Sequence, residues 1–349
     1  MVYLPKSLQV YYKIKKDIEQ HYYARFSFLP AERKLSELYQ VQRSTVRKAL
    51  EKLTEENYII KKPGAGNQVI WSNAKTSNSA QSILYVIPSH EFEQRNQPFH
   101  WEIFTVLESL CRAENITLSF LKLNKNDTLS SLSHNFQAAD GIIWVTEINP
   151  IFFETAKKNA IPSVLICNNY PDFPRINLAD RDGIFMATNH LIKKGCKRIA
   201  FMRGLSSYMN TPARYEGYQL ALRAHNITPD PSLEIDGDWT YSNAISAITD
   251  AIAHGLLFDG IVCSNDLMAL GTIRALQQQN IAIPDQVRVV GMDNIQNDIM
   301  VTPTLSTFSF SKRDIALAAF STLKALMRGA EVPKEIIIPG HLIERESSL

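Results

Sequence analysis

The sequence predicts two fold classes in one chain: an N-terminal winged helix, α+β and mostly α, followed by a two-lobed α/β body built on doubly wound parallel sheets. Three observations carry this expectation. The 349 residues exceed what one hydrophobic core normally organises, and 45% of them are apolar, enough to fill more than one. The charge is divided along the chain: residues 1–72 hold 13 Lys+Arg against 7 Asp+Glu, which, taken from the whole-chain 37 and 35, leaves 24 against 28 for the rest. From Ile83 onward, short β-rich runs alternate with helical stretches.

The first element to justify is the run from Leu29 to Val69. Leu35 and Leu38 are expected to turn one apolar side inward on a short helix, with Tyr39-Gln40-Val41 as a tight connection and a second helix starting at Gln42 or Ser44. On that second helix Val46, Ala49, Leu50 and Leu53 fall at i, i+3, i+4 and i+7, so one stripe is apolar. The opposite stripe is basic and hydroxylic: Arg43 and Arg47 share a face, beside Ser44, Thr45 and Lys48 near the helix start. Tyr58-Ile59-Ile60 and Gln68-Val69-Ile70, around Gly64-Ala65-Gly66, read as two short strands and a glycine turn, the wing. A charged helix face is often merely solvated. Here it belongs to a basic module joined to an acidic one, which is the footprint of a phosphate-binding head on a separate body.

The sequence places the head at 1–72, a linker at 73–81 and the body at 82–349. Asn73 to Gln81 is small, polar and without period. In the body, strands are expected at ILYVI from Ile83, at ITLSFLKL, at 141–145, 163–167, 198–202, 258–263, 287–290 and 335–338. Helices are expected near 98–114, 182–194, 212–226, 241–254, 265–280 and 311–328. Alternation over about 265 residues is long for a single open sheet, which favours two lobes with a cleft between them. Ligands of such sheets lie beyond the carboxyl ends of the strands, where Asp180, Arg214, Asn265-Asp266 and Asp293 stand. Asp266 reads as a helix cap, since Ser264-Asn265-Asp266 opens a helix. Asp180, Arg214 and Asp293 together suit a polyhydroxylated ligand, because a carboxylate accepts from two neighbouring hydroxyls and a guanidinium donates to two oxygens. Trp239 adds an aromatic face for a sugar ring.

LPAERKLSE followed by VQRSTVRKALEKL resembles the winged-helix head of the GntR regulators over about residues 7–71. The resemblance implies double-stranded operator DNA as a partner, with contacts from Arg33, Arg43, Ser44, Thr45 and Arg47 and from Gly64 and Gly66 in the wing. Ala65 stands where the family often has arginine, so phosphate contact from Lys61 or Lys62 is the expected role of the wing. In the body, NLADRDGIFMATNHLIKKGCKRIAFMRG, ARYEGYQLALRAHNI, GIVCSNDLMALGTIRAL and IPDQVRVVGMDN resemble the effector-binding body of LacI-type regulators and the periplasmic sugar-binding proteins over about 83–345. This implies a type I periplasmic-binding-protein-like fold, effector contacts from Asp180, Arg214, Trp239, Asn265 and Asp293, and a wall of Phe99 and Trp101 in the other lobe. Phe310 and Gln97-Pro98-Phe99-His100 depart from that pattern near the cleft. The implied protein is a homodimeric, ligand-controlled transcription factor; the ligand is a monosaccharide or, alternatively, a purine or another small metabolite. A solute-binding receptor without a DNA role is the remaining alternative.

Catalysis finds little support. No GxGxxG follows a strand and no GxxxxGK[ST] occurs; the histidines lack ligand spacing; and Cys111, Cys167, Cys196 and Cys263 form no CxxC. No enzyme, metal or cofactor is therefore expected. The N-terminus lacks a signal-peptide core and no apolar run approaches the ~18 residues of a membrane span, so a cytoplasmic protein without membrane contact is expected.

Overall fold

Among the described residues of the head, three helices and a hairpin close around one small core. The computed structural model describes residues 5–20, 22–23, 26–71, 81–89, 98–124, 126–128, 135–136, 138–206 and 208–349. Nearly all of the expected linker, together with His90, Glu91, Gln97 and His134, lies outside the described residues. Helix α1 (Lys6–Glu19) brings Tyr11, Ile14 and Ile18 onto α3 (Arg43–Glu55), whose Val46, Ala49, Leu50 and Leu53 are buried as their spacing predicts. Gln42, not Ser44, is the residue before that helix, and its side chain makes no capping bond. One inward residue is misassigned by the sequence. On α2 (Glu32–Tyr39) Leu35 is buried, but Leu38 is 62% exposed. A two-turn helix touching its neighbours along one line buries few positions, and Tyr39, four residues after Leu35, takes the second place and donates its hydroxyl to Asp17 at 3.2 Å.

The wing is β1 (Ile59–Lys62) and β2 (Gly66–Val69), antiparallel, with Ile59 opposite Val69 and Ile60 opposite Gln68. Gly64 and Gly66 both have positive φ, +74° and +110°, which the turn between the strands requires. Alternation sends Ile59 and Val69 into the head core and Ile60 and Gln68 to the other face.

The body has two lobes, each a six-stranded sheet. The N-terminal lobe holds β3 (Ser82–Pro88), β4 (Thr117–Leu123), β5 (Gly141–Val145), β6 (Ser163–Ile166), β7 (Arg175–Leu178) and β13 (Glu335–Ile338), all parallel, in the order β13-β7-β6-β5-β3-β4. The C-terminal lobe holds β8 (Ile199–Arg203), β9 (Glu234–Asp236), β10 (Gly260–Cys263), β11 (Arg288–Asp293), β12 (Ser306–Phe310) and β14 (Gly340–Ile343), in the order β14-β12-β11-β10-β8-β9, with β14 antiparallel to β12. The helices between them are α4 (Pro98–Ala113), α5 (Pro150–Lys158), α6 (Asp180–Lys193), α7 (Asn210–Ala224), α8 (Tyr241–Ala253), α9 (Asp266–Gln278) and α10 (Lys312–Met327). The central strands are apolar runs buried on both faces, with Tyr85, Trp144, Phe201 and Phe308 among the fully enclosed side chains. The chain crosses between lobes three times, after β7, after β12 and after β13. Helix α5 and strands β7, β9, β12 and β14 are absent from the elements expected on sequence. β6 returns directly into β7 with no helix between them, so alternation is not strict.

Candidate nucleic-acid interface and ligand cleft

On the head, the amino-terminal turn of α3 presents Arg43, Ser44, Arg47 and Lys48 to solvent, with Thr45 half-buried. Arg33 is exposed on α2 and pairs with Glu37 one turn on, at 3.1 Å. Arg47 is held differently. Its Nη2 and Nε donate to the two oxygens of Glu32, at 2.9 and 3.3 Å, a two-point pair between α2 and α3 that fixes the direction of the guanidinium. Bonding to Arg47, with Lys61 and Arg43 nearby, holds the Glu32 carboxyl below its ordinary range. Lys61 therefore shares this face of the head, whereas Lys62 is one residue out of phase and half-buried on the other side of the hairpin. Glu32 is the residue of this surface that the sequence reading overlooked. The arrangement can present donors to base edges from α3 and point charges to phosphates from the wing.

In the body, the carboxyl ends of both sheets face each other across a narrow cleft lined by Phe99, His100, Thr146, Cys167, Leu178, Tyr208, Met209, Asn210, Arg214, Trp239, Asn265 and Asp293. Arg214 is its buried centre. Its Nε donates to Asp180 at 2.6 Å and its Nη1 to the Ser264 carbonyl, and its guanidinium lies 5.2 Å from the Trp239 ring centroid. Burial works against this charge, but the Asp180 and Asp293 carboxylates outweigh it and hold the guanidinium above its ordinary pKa. Burial pushes the Asp293 carboxyl up to about 8, with Arg214 opposing the shift. Lys312, at the start of α10, donates to the Asp293 and Asn294 carbonyls and pairs with Glu102 at 3.5 Å, tying the two lobes together at the back of the cleft.

The site residues named on sequence divide into two groups. Phe99, Arg214, Trp239, Asn265 and Asp293 line one cleft. Asp180 stands behind it as the partner of Arg214, and Trp101 stands away from it, 53% exposed and stacked on Phe104 with ring centroids 5.2 Å apart. Asn265 has a second duty. Its Oδ1 accepts from the Met268 amide at 2.9 Å, so it is the residue that caps α9, in place of the expected Asp266. Asp266 is fully buried, accepting from the Thr307 hydroxyl at 2.7 Å and the Ile295 amide at 3.3 Å.

Two further observations mark the cleft. Trp239 Nε1, Asn210 Oδ1 and Thr146 Oγ1 are buried without a hydrogen-bond partner among the described residues, and all three residues line it. Buried polar groups are normally satisfied, so these three atoms, from two lobes at one place, stand open to hydrogen bonds from whatever occupies the cleft, water included. Thr146, Cys167, Trp239 and Asp293 also have positive φ, between +53° and +123°. For Thr, Cys and Trp this backbone is costly, and it recurs where the surroundings over-determine it, as binding sites do. Gly204 lets the indole in: a Cβ there would lie 2.0 Å from the Trp239 ring. Thr146, Cys167, Tyr208 and Asn210 were missed on sequence, although Thr146 directly follows the GIIWV strand, where the strand-end rule points.

Residues 6–69 match the family model of bacterial regulatory proteins of the gntR family, and residues 188–348 match the periplasmic binding protein-like domain. The chain is a GntR-type helix-turn-helix domain joined to a periplasmic-binding-protein-like domain. The relatives of this two-part chain are transcriptional regulators rather than enzymes. Catabolite control protein A of Priestia megaterium is 28% identical over 239 residues, 67% of this chain and 72% of that protein. The HTH-type transcriptional repressor PurR of Aliivibrio fischeri is 27% identical over 241 residues, 66% of this chain and 71% of that protein. Among solved structures, the lac repressor dimer bound to operator and an anti-inducer shares the fold of the body, with a TM-score of 0.67 at 20% identity, covering 78% of this chain and 95% of that one.

Proposed function

We propose that this chain is a sequence-specific transcriptional repressor of carbohydrate-utilisation genes, whose grip on operator DNA is set by a monosaccharide bound in the cleft. The observation that carries the ligand half is the set of orphaned polar atoms, Trp239 Nε1, Asn210 Oδ1 and Thr146 Oγ1, facing a buried guanidinium and a buried carboxyl. A pyranose offers hydroxyls that donate to one oxygen while accepting from a neighbouring N–H, which is the mixture these groups require. In this reading Arg43, Ser44, Thr45, Arg47 and Lys48 read the major groove, while Arg33, Lys61, Gly64 and Gly66 touch the backbone and Lys62, on the other face of the hairpin, adds a weaker and more distant charge. Phe99, Arg214, Trp239, Asn265 and Asp293 take the ligand, with Asp180 orienting Arg214 and Trp101 outside the first contact. The working parts are the head at 1–72, the linker at 73–81 and the body at 82–349. Two copies bind a two-fold operator through two heads, as helix-turn-helix readers do, and the protein acts in the cytoplasm. The relatives' names as repressors support the sign of control. Among the described residues no helix is long and apolar enough to cross a membrane.

Two measurements on purified protein test this. Selection from a pool of genomic fragments should enrich a two-fold sequence, and a thermal-shift screen should respond to a monosaccharide and not to hypoxanthine or guanine. A nucleobase response would replace the sugar and keep the regulator. Ligand binding with no DNA enriched would leave a solute receptor instead.

A further inference from the structure

The face of the wing turned away from the DNA-reading helix is not free. Gln68, buried although it belongs to a hairpin of the head, donates its Nε2 to the Phe26 carbonyl at 2.9 Å and to the Ala160 carbonyl of the N-terminal lobe at 3.3 Å. Phe26 is buried in the apolar cluster of that lobe, with Phe152, Ala156 and Ile161. Ile60, directly across the hairpin from Gln68, packs on Gly329: a Cβ on that glycine would lie 2.7 Å from Ile60 Cδ1. Ala160 precedes β6 and Gly329 precedes β13, so both contacts lie at the amino ends of the strands, opposite the cleft.

Gly329 lies two residues beyond the end of α10. The other end of that helix begins at Lys312, whose ammonium donates to the Asp293 and Asn294 carbonyls beside the cleft and lies 5.3 Å from the Phe99 ring centroid. Along its length α10 packs on the sheet of the N-terminal lobe, with Leu323 against Gly141. Sixteen residues span roughly 24 Å, so one rigid element runs from the cleft to the wing.

We propose that the N-terminal lobe carries a docking surface for the chain's own head, made by Ala160 and Gly329 and filled by Gln68, Ile60 and Phe26, and that α10 couples this surface to the cleft. The proposal rests on the reading of the head as a DNA reader and the cleft as a ligand site. A shift between the lobes moves Lys312 through its bonds to the C-terminal lobe, and the far end of the helix moves with it against the wing. The docked head leaves Arg43, Ser44 and Lys48 exposed, so docking fixes where the reading helix points rather than covering it.

Amide hydrogen exchange on the full chain, read by mass spectrometry, tests both parts. Ile60→Glu should speed exchange at 156–161 and 323–330 by at least about fivefold, and the milder Gln68→Ala should move 156–161 the same way. Lys312→Met should raise exchange in the wing, 59–69, by at least about threefold, with 260–263 unchanged. Unaltered protection at 156–161 and 323–330 in both wing variants would sink the docked head, and a wing indifferent to Lys312→Met would sink the coupling. Binding of the parent to its selected duplex is measured alongside. A parent that binds no DNA ends the regulator reading while the exchange result stands; a parent that binds DNA with exchange unmoved ends this proposal alone.

Discussion

Arg47 and Arg214 show how much a single charged side chain depends on what holds it. Arg47 is aimed by Glu32, so in the proposed reading Arg47→Ala should cost about 1–3 kcal/mol of discrimination between the selected duplex and a scrambled one, measured by gel-shift titration. Equal discrimination by parent and variant would take Arg47 out of base reading. Arg214 is a poor residue to delete as a test of ligand binding. Arg214→Ala leaves the Asp180 carboxylate buried and alone, a change expected to cost about 3–5 kcal/mol of stability and to lower Tm before any ligand is added. Asn210→Ala is the cleaner probe, because its Oδ1 has no partner to lose among the described residues. It should leave Tm within a degree or two of the parent and weaken monosaccharide binding by about tenfold, near 1.4 kcal/mol, in a calorimetric titration. Undiminished binding would remove Asn210 from the site. Arg214, Asp293 and Trp239 are legible in the sequence because charged and aromatic residues stand out at strand ends. Thr146 and Asn210 are not, because small polar residues are common in loops, and only the enclosure of their polar atoms distinguishes them.

At the scale of elements, the length and continuity of the apolar pattern decided what could be read in advance. Helices α3, α9 and α10 repeat their apolar positions over three or more turns, and the sequence pattern located them. Strands β7 and β9, of four and three residues, are broken by Arg175 and Asn177 and by Glu234 and Asp236, so they show no apolar run and are defined by the strands they pair with. Leu38 is the same lesson in a helix, where burial depends on a neighbour that the sequence does not name. The wing supplies a prediction at this scale. Because strand alternation puts Lys61 with Arg47 and Lys62 on the opposite face, Lys61→Ala should weaken DNA binding at all sequences and lower the slope of log affinity against log salt by about one, while Lys62→Ala does less. Equal effects of the two substitutions would contradict the assigned faces.

For the molecule as a whole, pH is a second handle on the cleft. Asp293 has a folded pKa of about 8, above its unfolded value, so its contribution to stability is complete at acid pH and is lost as pH rises through about 8. Asp298, pushed up to about 11 by burial and by the Asp266 carboxylate, acts in the same direction. The Tm of the parent should therefore fall between about pH 5 and pH 8 more steeply than that of Asp293→Asn, and parallel curves would show that Asp293 is ionised throughout. A ligand that changes operator affinity ~100-fold must favour one arrangement of lobes and heads by roughly 2.7 kcal/mol, which a few of the cleft's unsatisfied groups can supply.

The three strands of chain that pass between the lobes have a consequence for ancestry. Neither lobe is an uninterrupted stretch of gene, so a recombination breakpoint inside the body would leave two incomplete sheets, each lacking members supplied from elsewhere in the sequence. The head is a contiguous segment that joins the body at one point of the sequence, and a new one can be acquired in one event. A reader of one lineage on a sensor of another is what that asymmetry of tethering permits.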